Sequence, residues 1–267
     1  MRYVFFIVNI MFFLSSCEHS NPAFRFSNFY GTPAETLVKA IKSNDVEGIR
    51  QEVLKKHVDI NFEDEEYEVS LLALAIANNK KDAFEELLRL GANPNIDNSS
   101  CVSPLKSAIR YNHNCDTFFI KKILEYGANI TPRFPSKCNQ AYDPIPETIL
   151  HYNEESKVKC GFAILKLLTS KLNNPDLLSL YNSPEDYQEN IIYNCLEDRN
   201  LSALKYLIVD LKFKVPEKIF IDGTVLLHYQ GYKSLDEILK SREFSFNEPN
   251  KFREKAKDEI LNYLKKE

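Results

Sequence analysis

Apolar residues in this chain recur in short clusters at helical spacing, and the clusters come in pairs. Leu72, Ala75 and Ile76 share one helix face, and Phe84, Leu87 and Leu88 share another shortly downstream. The spacing predicts two short helices whose apolar stripes turn towards each other. Weaker pairs follow the same pattern. Leu37, Ala40 and Ile41 precede Ile49, Val53 and Leu54, and Ile191, Ile192 and Cys195 precede Leu204, Leu207 and Ile208. Phe162 to Leu168 supplies one further apolar helix. Near the end, Phe252, Ala256, Ile260 and Leu264 fall at four-residue steps with Leu261 beside them, on an otherwise charged segment. Such a helix suits the end of a stack, one face inward and the other in water.

Stop and start signals separate the clusters. Gly91 and Gly127 stand where a helix must end in a left-handed residue, which glycine adopts without a side-chain clash. Ser103-Pro104 opens a helix, with proline where its missing N–H costs nothing. Leu72-Ala73-Leu74-Ala75-Ile76 and Leu105-Lys106-Ser107-Ala108-Ile109 are offset by 33 residues. A fixed period of this length indicates a stacked array of units.

Two fragments give the unit its character: Leu87-Leu88-Arg89-Leu90-Gly91-Ala92-Asn93-Pro94-Asn95 and Ile123-Leu124-Glu125-Tyr126-Gly127-Ala128-Asn129-Ile130. Thr148-Ile149-Leu150-His151 and Asp222-Gly223-Thr224-Val225-Leu226-Leu227-His228 look like helix starts of the same kind, and Phe244-Ser245-Phe246-Asn247 echoes Val58-Asp59-Ile60-Asn61. The chain resembles the ankyrin-repeat family. The resemblance implies an all-α fold, an ankyrin-like α-solenoid of about six helix-pair repeats over residues 32–248, with a capping helix over 249–267. Residues 131–147 are longer than an ordinary connecting finger, and residues 173–184 interrupt the frame again.

In this family the fingers and the exposed positions of the first helices make the recognition surface. The frame carries that role onto Asn78, Arg110, Tyr111 and Tyr152, together with Leu74, Ala77 and Ser107. It also falls on the acidic run Glu63, Asp64, Glu65, Glu66, Tyr67 and Glu68, which lies on the finger between the first and second units. An acidic finger suits a basic partner and speeds encounter, although a run of this kind is also compatible with a merely solvated loop.

The N-terminus changes the picture of where the molecule works. Met1-Arg2 is a short basic start, Val4 to Leu14 is apolar apart from Asn9, and Ser15-Ser16 are small. That pattern reads as an export signal, and the apolar run is well short of the roughly 20 residues of a membrane-spanning helix. Leu14-Ser15-Ser16-Cys17 resembles a bacterial lipobox, in which the signal is cut before the cysteine and the thiol carries lipid. The expected organisation is a lipoprotein signal peptide over 1–16 and a lipidated tether over 17–31, placing the protein in the bacterial cell envelope, lipid-anchored at the periplasmic face or outer surface.

The remaining cysteines are 101, 115, 138, 160 and 195. In the repeat frame Cys101 and Cys138 precede first helices of successive units, and Cys115 and Cys160 stand near the starts of second helices in the same units. Pairing 101 with 138 and 115 with 160 would staple those units in an oxidising compartment. Stacked helices lie about 8–10 Å apart, whereas bridged Cα atoms must come within roughly 7 Å. The pairing therefore needs local tilting, and buried unpaired thiols stay open as the alternative. Cys195 takes the small buried position held by Ala75 and Ala108 and is expected to be free.

Composition narrows the function classes. The net charge is −4, which disfavours a nucleic-acid binder. Seven scattered glycines form no phosphate loop, and neither a His-Glu-x-x-His nor a Cys-x-x-Cys zinc pattern occurs. His151 and His228 occupy the helix-start position where the ankyrin family places a hydrogen-bonding histidine. No catalytic residue, metal or cofactor is indicated. The expectation is a monomeric, non-enzymatic scaffold of the envelope that binds a protein partner through its fingers and concave face. The alternative is an immunity-type inhibitor that neutralises an envelope-delivered toxin or hydrolase.

Overall fold

The computed structural model describes residues 21–96, 102–130, 145, 148, 158–171, 191–241, 244 and 251–266. Helix pairs dominate it. The first unit holds α1 (Glu35–Ser43) and α2 (Val46–Arg50), the second α3 (Leu71–Ala77) and α4 (Lys81–Arg89), and the third α5 (Pro104–Arg110) and α6 (Phe118–Glu125). Later come α7 (Val158–Thr169), α8 (Ile191–Glu197) and α9 (Leu201–Lys205). Within each pair the helices pack on each other, and like helices stack between units: α1 on α3 and α3 on α5 as an inner row, α2 on α4 and α4 on α6 as an outer row. One continuous apolar core runs through all of them. The molecule is an all-α, ankyrin-like solenoid.

Local signals build these units as the chain dictates. The hydroxyls of Ser70 and Ser103 accept from the N–H groups of Ala73 and Lys106, capping α3 and α5. Gly91 and Gly127 take φ of 95° and 83°, beyond the ends of α4 and α6. The asparagines of the repeated Gly-Ala-Asn stretch then link unit to unit. The Asn61 side-chain oxygen accepts from Asn93 N–H at 2.7 Å, and that of Asn95 accepts from Asn129 N–H at 2.7 Å. Because each loop satisfies the backbone of the next, the stacking register is fixed by hydrogen bonds as well as by burial.

Four local features depart from the sequence pattern. First, α2 runs on into a wide turn over Gln51–Lys55 with the geometry of a π-helix. The extra residue per turn rotates the stripe, so Leu54 is 58% exposed while Glu52 is 8% exposed. Glu52 is satisfied there by Lys56 Nζ at 2.7 Å and the Thr36 hydroxyl at 2.6 Å, which in that order hold its carboxyl below the ordinary range. A like turn at Tyr206–Asp210 follows α9, where both Leu207 and Ile208 remain buried.

Second, the sixth unit does not open with a helix. Ile219–Ile221 (β1) pairs antiparallel with Gly231–Lys233 (β2), and residues 222–228 form the turn region between them. Asp222 is the reason: its Oδ1 accepts from Thr224 N–H at 2.9 Å, from the Thr224 hydroxyl at 2.6 Å and from the Tyr193 hydroxyl at 3.1 Å. Local bonding of this kind competes with helix formation. His228 is accordingly an exposed turn residue with φ of 62° and does not hold a helix start. Helix α10 (Leu235–Lys240) follows with a Ser234/Glu237 capping box.

Third, Cys115 lies ahead of α6, in the turn His113–Cys115, where Asn114 and Cys115 both have left-handed backbones. It is joined to Cys160 of α7 by a disulfide with a Cα–Cα distance of 5.1 Å. Because Cys115 has left the helical cylinder, the helix-to-helix distance does not limit the reach. Cys195 is free and buried, and burial pushes its thiol well up. Cys101 and Cys138 lie outside the described residues.

Fourth, residues 21–31 are not a free tether. Pro22–Phe24 and Phe26–Phe29 form two short 3-10 turns, and Phe24, Phe26 and Phe29 are buried at 4%, 3% and 0% exposure. Phenylalanines at this density remove enough apolar area from water to hold a segment down. Residues 1–20, including the signal segment and Cys17, lie outside the described residues.

At the far end, α11 (Lys251–Leu264) packs on α9 and α10, with Ala256 and Ile260 buried. Lys205 of α9 meets Glu259 at 2.8 Å, tying the cap to the fifth unit.

Candidate recognition surface

The acidic finger divides into a structural base and an exposed tip. Glu63 and Ser70 form an antiparallel bridge at its neck. Asp64 is 2% exposed, and its two carboxylate oxygens accept from Tyr67 N–H and Val69 N–H, each at 2.8 Å. It is a turn-former, not a recognition residue, because an aspartate satisfies nearby N–H groups that the bend would leave unpaired. Glu68 is placed at φ of 52° by the same bend and is half-buried. Glu65 and Glu66 are exposed and form the tip. Tyr67 is half-buried beside them. Its hydroxyl is raised above the usual range, mainly by a hydrogen bond with Glu66, then by burial and the Glu66 charge, while Arg25 opposes the shift.

The inner helices carry a second surprise relative to the sequence frame. Leu74, Ala77 and Ser107 are 0%, 2% and 2% exposed. The segment 21–30 runs across the inner row: Pro22–Phe24 packs on α3 and Phe26–Phe29 packs on α1. Asn78 donates from Nδ2 to the Phe24 carbonyl at 2.9 Å and to the Leu74 carbonyl at 3.0 Å. Tyr111 accepts from Asn21 Nδ2 at 2.9 Å, and its ring stands edge-on to Phe24 with centroids 4.7 Å apart. Asn78 and Tyr111 therefore hold this chain's own N-terminal segment. Arg110 is exposed on the same helix end, and Tyr152 lies outside the described residues.

Sequence reasoning missed Asn21, Phe24 and Arg25. The signal was present: Phe24, Phe26 and Phe29 crowd a segment read as a linker, and linkers that stay in water are poor in aromatic residues. The apolar pair Leu74 and Ala77, on a face reserved for solvent, was the complementary signal. In the fifth unit the matching positions are Asn194, Glu197 and Asp198, and Glu197 is exposed. What the arrangement offers chemically is thus an acidic finger tip, a covered inner face in the first units and a polar inner face in the fifth. Among the described residues no three His, Cys, Asp or Glu side chains gather as metal ligands. None of the described helices is long and apolar enough to cross a membrane.

No protein-family model matches the chain. It is similar to the putative ankyrin repeat protein FPV031 of fowlpox virus (strain NVSL), 26% identical over 167 residues, covering 58% of this chain and 45% of the relative. The chain thus spans less than half the length of that curated relative. Among solved structures it is similar to the human ASB11 ankyrin repeat domain, with a TM-score of 0.44 at 17% identity over 64% of this chain and 66% of that one. It is also similar to a chain of the complex between the Bd0816 predatory endopeptidase of Bdellovibrio bacteriovorus and the immunity protein Bd3460. That likeness has a TM-score of 0.52 at 14% identity and covers 87% of this chain and 98% of the other.

Proposed function

We propose that this ankyrin-like solenoid is a protein-binding scaffold of the bacterial envelope, held to a membrane by lipid on Cys17, and that it has no enzymatic activity. The observation that carries the binding role is the finger. Asp64 rigidifies its base with two hydrogen bonds, one of them buried, and the bend leaves Glu65 and Glu66 exposed at the tip. A rigid loop presenting two carboxylates meets a basic patch at little entropic cost. The anchoring part rests on the lipobox-like Leu14-Ser15-Ser16-Cys17.

Affinity capture from native envelope with the lipidated full chain tests both parts. Glu65→Lys with Glu66→Lys is expected to weaken partner capture about tenfold at low salt, with a smaller difference at high salt. Unchanged capture removes the finger from the binding surface. Cys17→Ala is expected to move the protein from the membrane fraction to the soluble one, and continued membrane association would refute the lipid anchor.

One observation favours a second, narrower reading, in which the partner is a toxin or hydrolase that the solenoid neutralises. The fold is shared over most of both chains with a member of an endopeptidase–immunity protein complex. That reading expects one tight partner whose activity is lost on binding. The scaffold reading expects several weaker partners that keep theirs.

A further inference from the structure

We infer that Asn21–Tyr30 is an intramolecular strap that occupies the inner-helix groove of the first three units, and that a partner segment of the same chemistry binds there only when the strap's leading half lifts. The strap runs against the direction of the array. Asn21 is hydrogen-bonded to Tyr111 in the third unit, the Phe24 carbonyl to Asn78 in the second, and Phe26 lies under Lys42 of the first, with Nζ 5.6 Å from its ring centroid. Phe29 closes the path against Phe62, with centroids 6.2 Å apart.

The contacts are those of peptide recognition. A main-chain carbonyl is captured by an asparagine, an aromatic side chain is received edge-on by a tyrosine, and the turn that carries both packs on α3. The part of the groove that the leading half vacates therefore selects a segment that offers a main-chain carbonyl to Asn78 and an aromatic ring to Tyr111, as Phe24 does.

The two halves of the strap are held unequally. The trailing half is continuous with α1 and anchored by fully buried Phe29. The leading half has the exposed Asn21–Tyr111 bond, the part-buried bond from Asn78 to the Phe24 carbonyl, and the ring of Phe24. Phe24 N–H bonds to Asn21 O at 3.1 Å and Arg25 N–H to Pro22 O at 3.3 Å, both within the strap. No helix has to unfold for that half to lift. A binding site filled in cis weakens a competing ligand by the fraction of time it stands open, so the strap sets a threshold on what the groove accepts. This inference does not depend on the finger or on the lipid anchor.

The test uses the full chain and a fluorescent peptide of the strap's leading half, Asn21 to Arg25. Wild type is expected to bind it poorly. A strap variant with Asn21→Ala and Phe24→Ser, which leaves the groove side chains intact, is expected to bind at least about tenfold tighter. A peptide with serine in place of Phe24 should lose that gain. Equal binding to wild type and variant, or no binding to a variant that remains folded, overturns the inference. Hydrogen exchange on wild type decides the matter independently of the variant. The Phe24 and Arg25 amides should exchange at least about a hundredfold faster than those of α3, through local opening. Protection equal to that of α3 would make the strap a permanent part of the core and sink the proposal.

Discussion

Replacing Cys115 and Cys160 together by serine is expected to lower unfolding stability by about 4 kcal/mol, since the bridge closes a loop of 45 residues. The staple spans the described end of the third unit and α7, across the stretch where the repeat frame is longest and least regular. Without it, that stretch samples many more conformations in the unfolded chain, and the native array loses a covalent link between neighbouring stacks. Urea unfolding followed by far-ultraviolet circular dichroism measures the change, with the double variant compared with oxidised wild type. A loss under about 1 kcal/mol would show that the surrounding packing holds these units in register without the bridge. Serine at both positions keeps size and polarity near those of the thiols, so the comparison isolates the cross-link.

The second large effect concerns Glu86, which is 5% exposed on α4. Arg50 Nε donates to its Oε1 at 2.8 Å and Arg50 Nη2 to its Oε2 at 3.2 Å, reaching across from the first unit. Arg89 donates to it from the next turn of the same helix through Nε at 2.8 Å and through Nη2. These bonds hold the carboxyl at about 2 against an ordinary 4.5, with the Arg89 bond the largest cause and burial opposing it. A carboxyl lowered on folding contributes stability that is present in full above pH 4.5 and is lost as pH falls towards 2. The contribution amounts to about 3 kcal/mol at neutral pH, an upper figure because both arginines are partly solvated.

Glu86→Gln is therefore expected to be less stable than wild type by up to about 3 kcal/mol at pH 7, with the gap closing by pH 2. Thermal melts of both chains across that range check it. Stability curves that stay parallel from pH 7 to 2 would show that Glu86 is not the group whose titration matters. Glu52, Asp116 and Glu259 are also lowered by basic neighbours. The wild-type curve sums over all of them, and only the difference between the two chains isolates Glu86.

The repeated units were legible because their determinants are local. A serine before a helix, a proline at its first turn and a glycine after its end each lie next to the apolar stripe they bound, as Ser103-Pro104 before α5 and Gly91 after α4 show. The strap was not legible because its contacts are distant, with Phe24 and Asn78 separated by 54 residues and Asn21 and Tyr111 by 90. Asp64 was misread for a different reason. A carboxylate within an acidic run looks solvated until the backbone bends around it, and one bend sorts Asp64 inward and Glu65 outward. Leu54 exposes a limit of periodicity itself, since one wide turn shifts the phase of every residue after it. The sixth unit failed as a helix because an Asp–Thr pair competed locally, a contest that apolar spacing does not register.

The counter-running strap also has a mechanical meaning. A chain anchored by its N-terminus would transmit tension to Asn21, and Asn21 sits on the third unit, not at the end of the array. The load meets Phe24 first, then Phe26, then Phe29, and reaches α1 only after all three have been stripped away. Stripping those ten residues pays out about 30 Å of extended chain while every helix pair stays folded. Under the lipid anchorage proposed above, the strap would be a reserve of slack that lengthens before the repeats begin to yield.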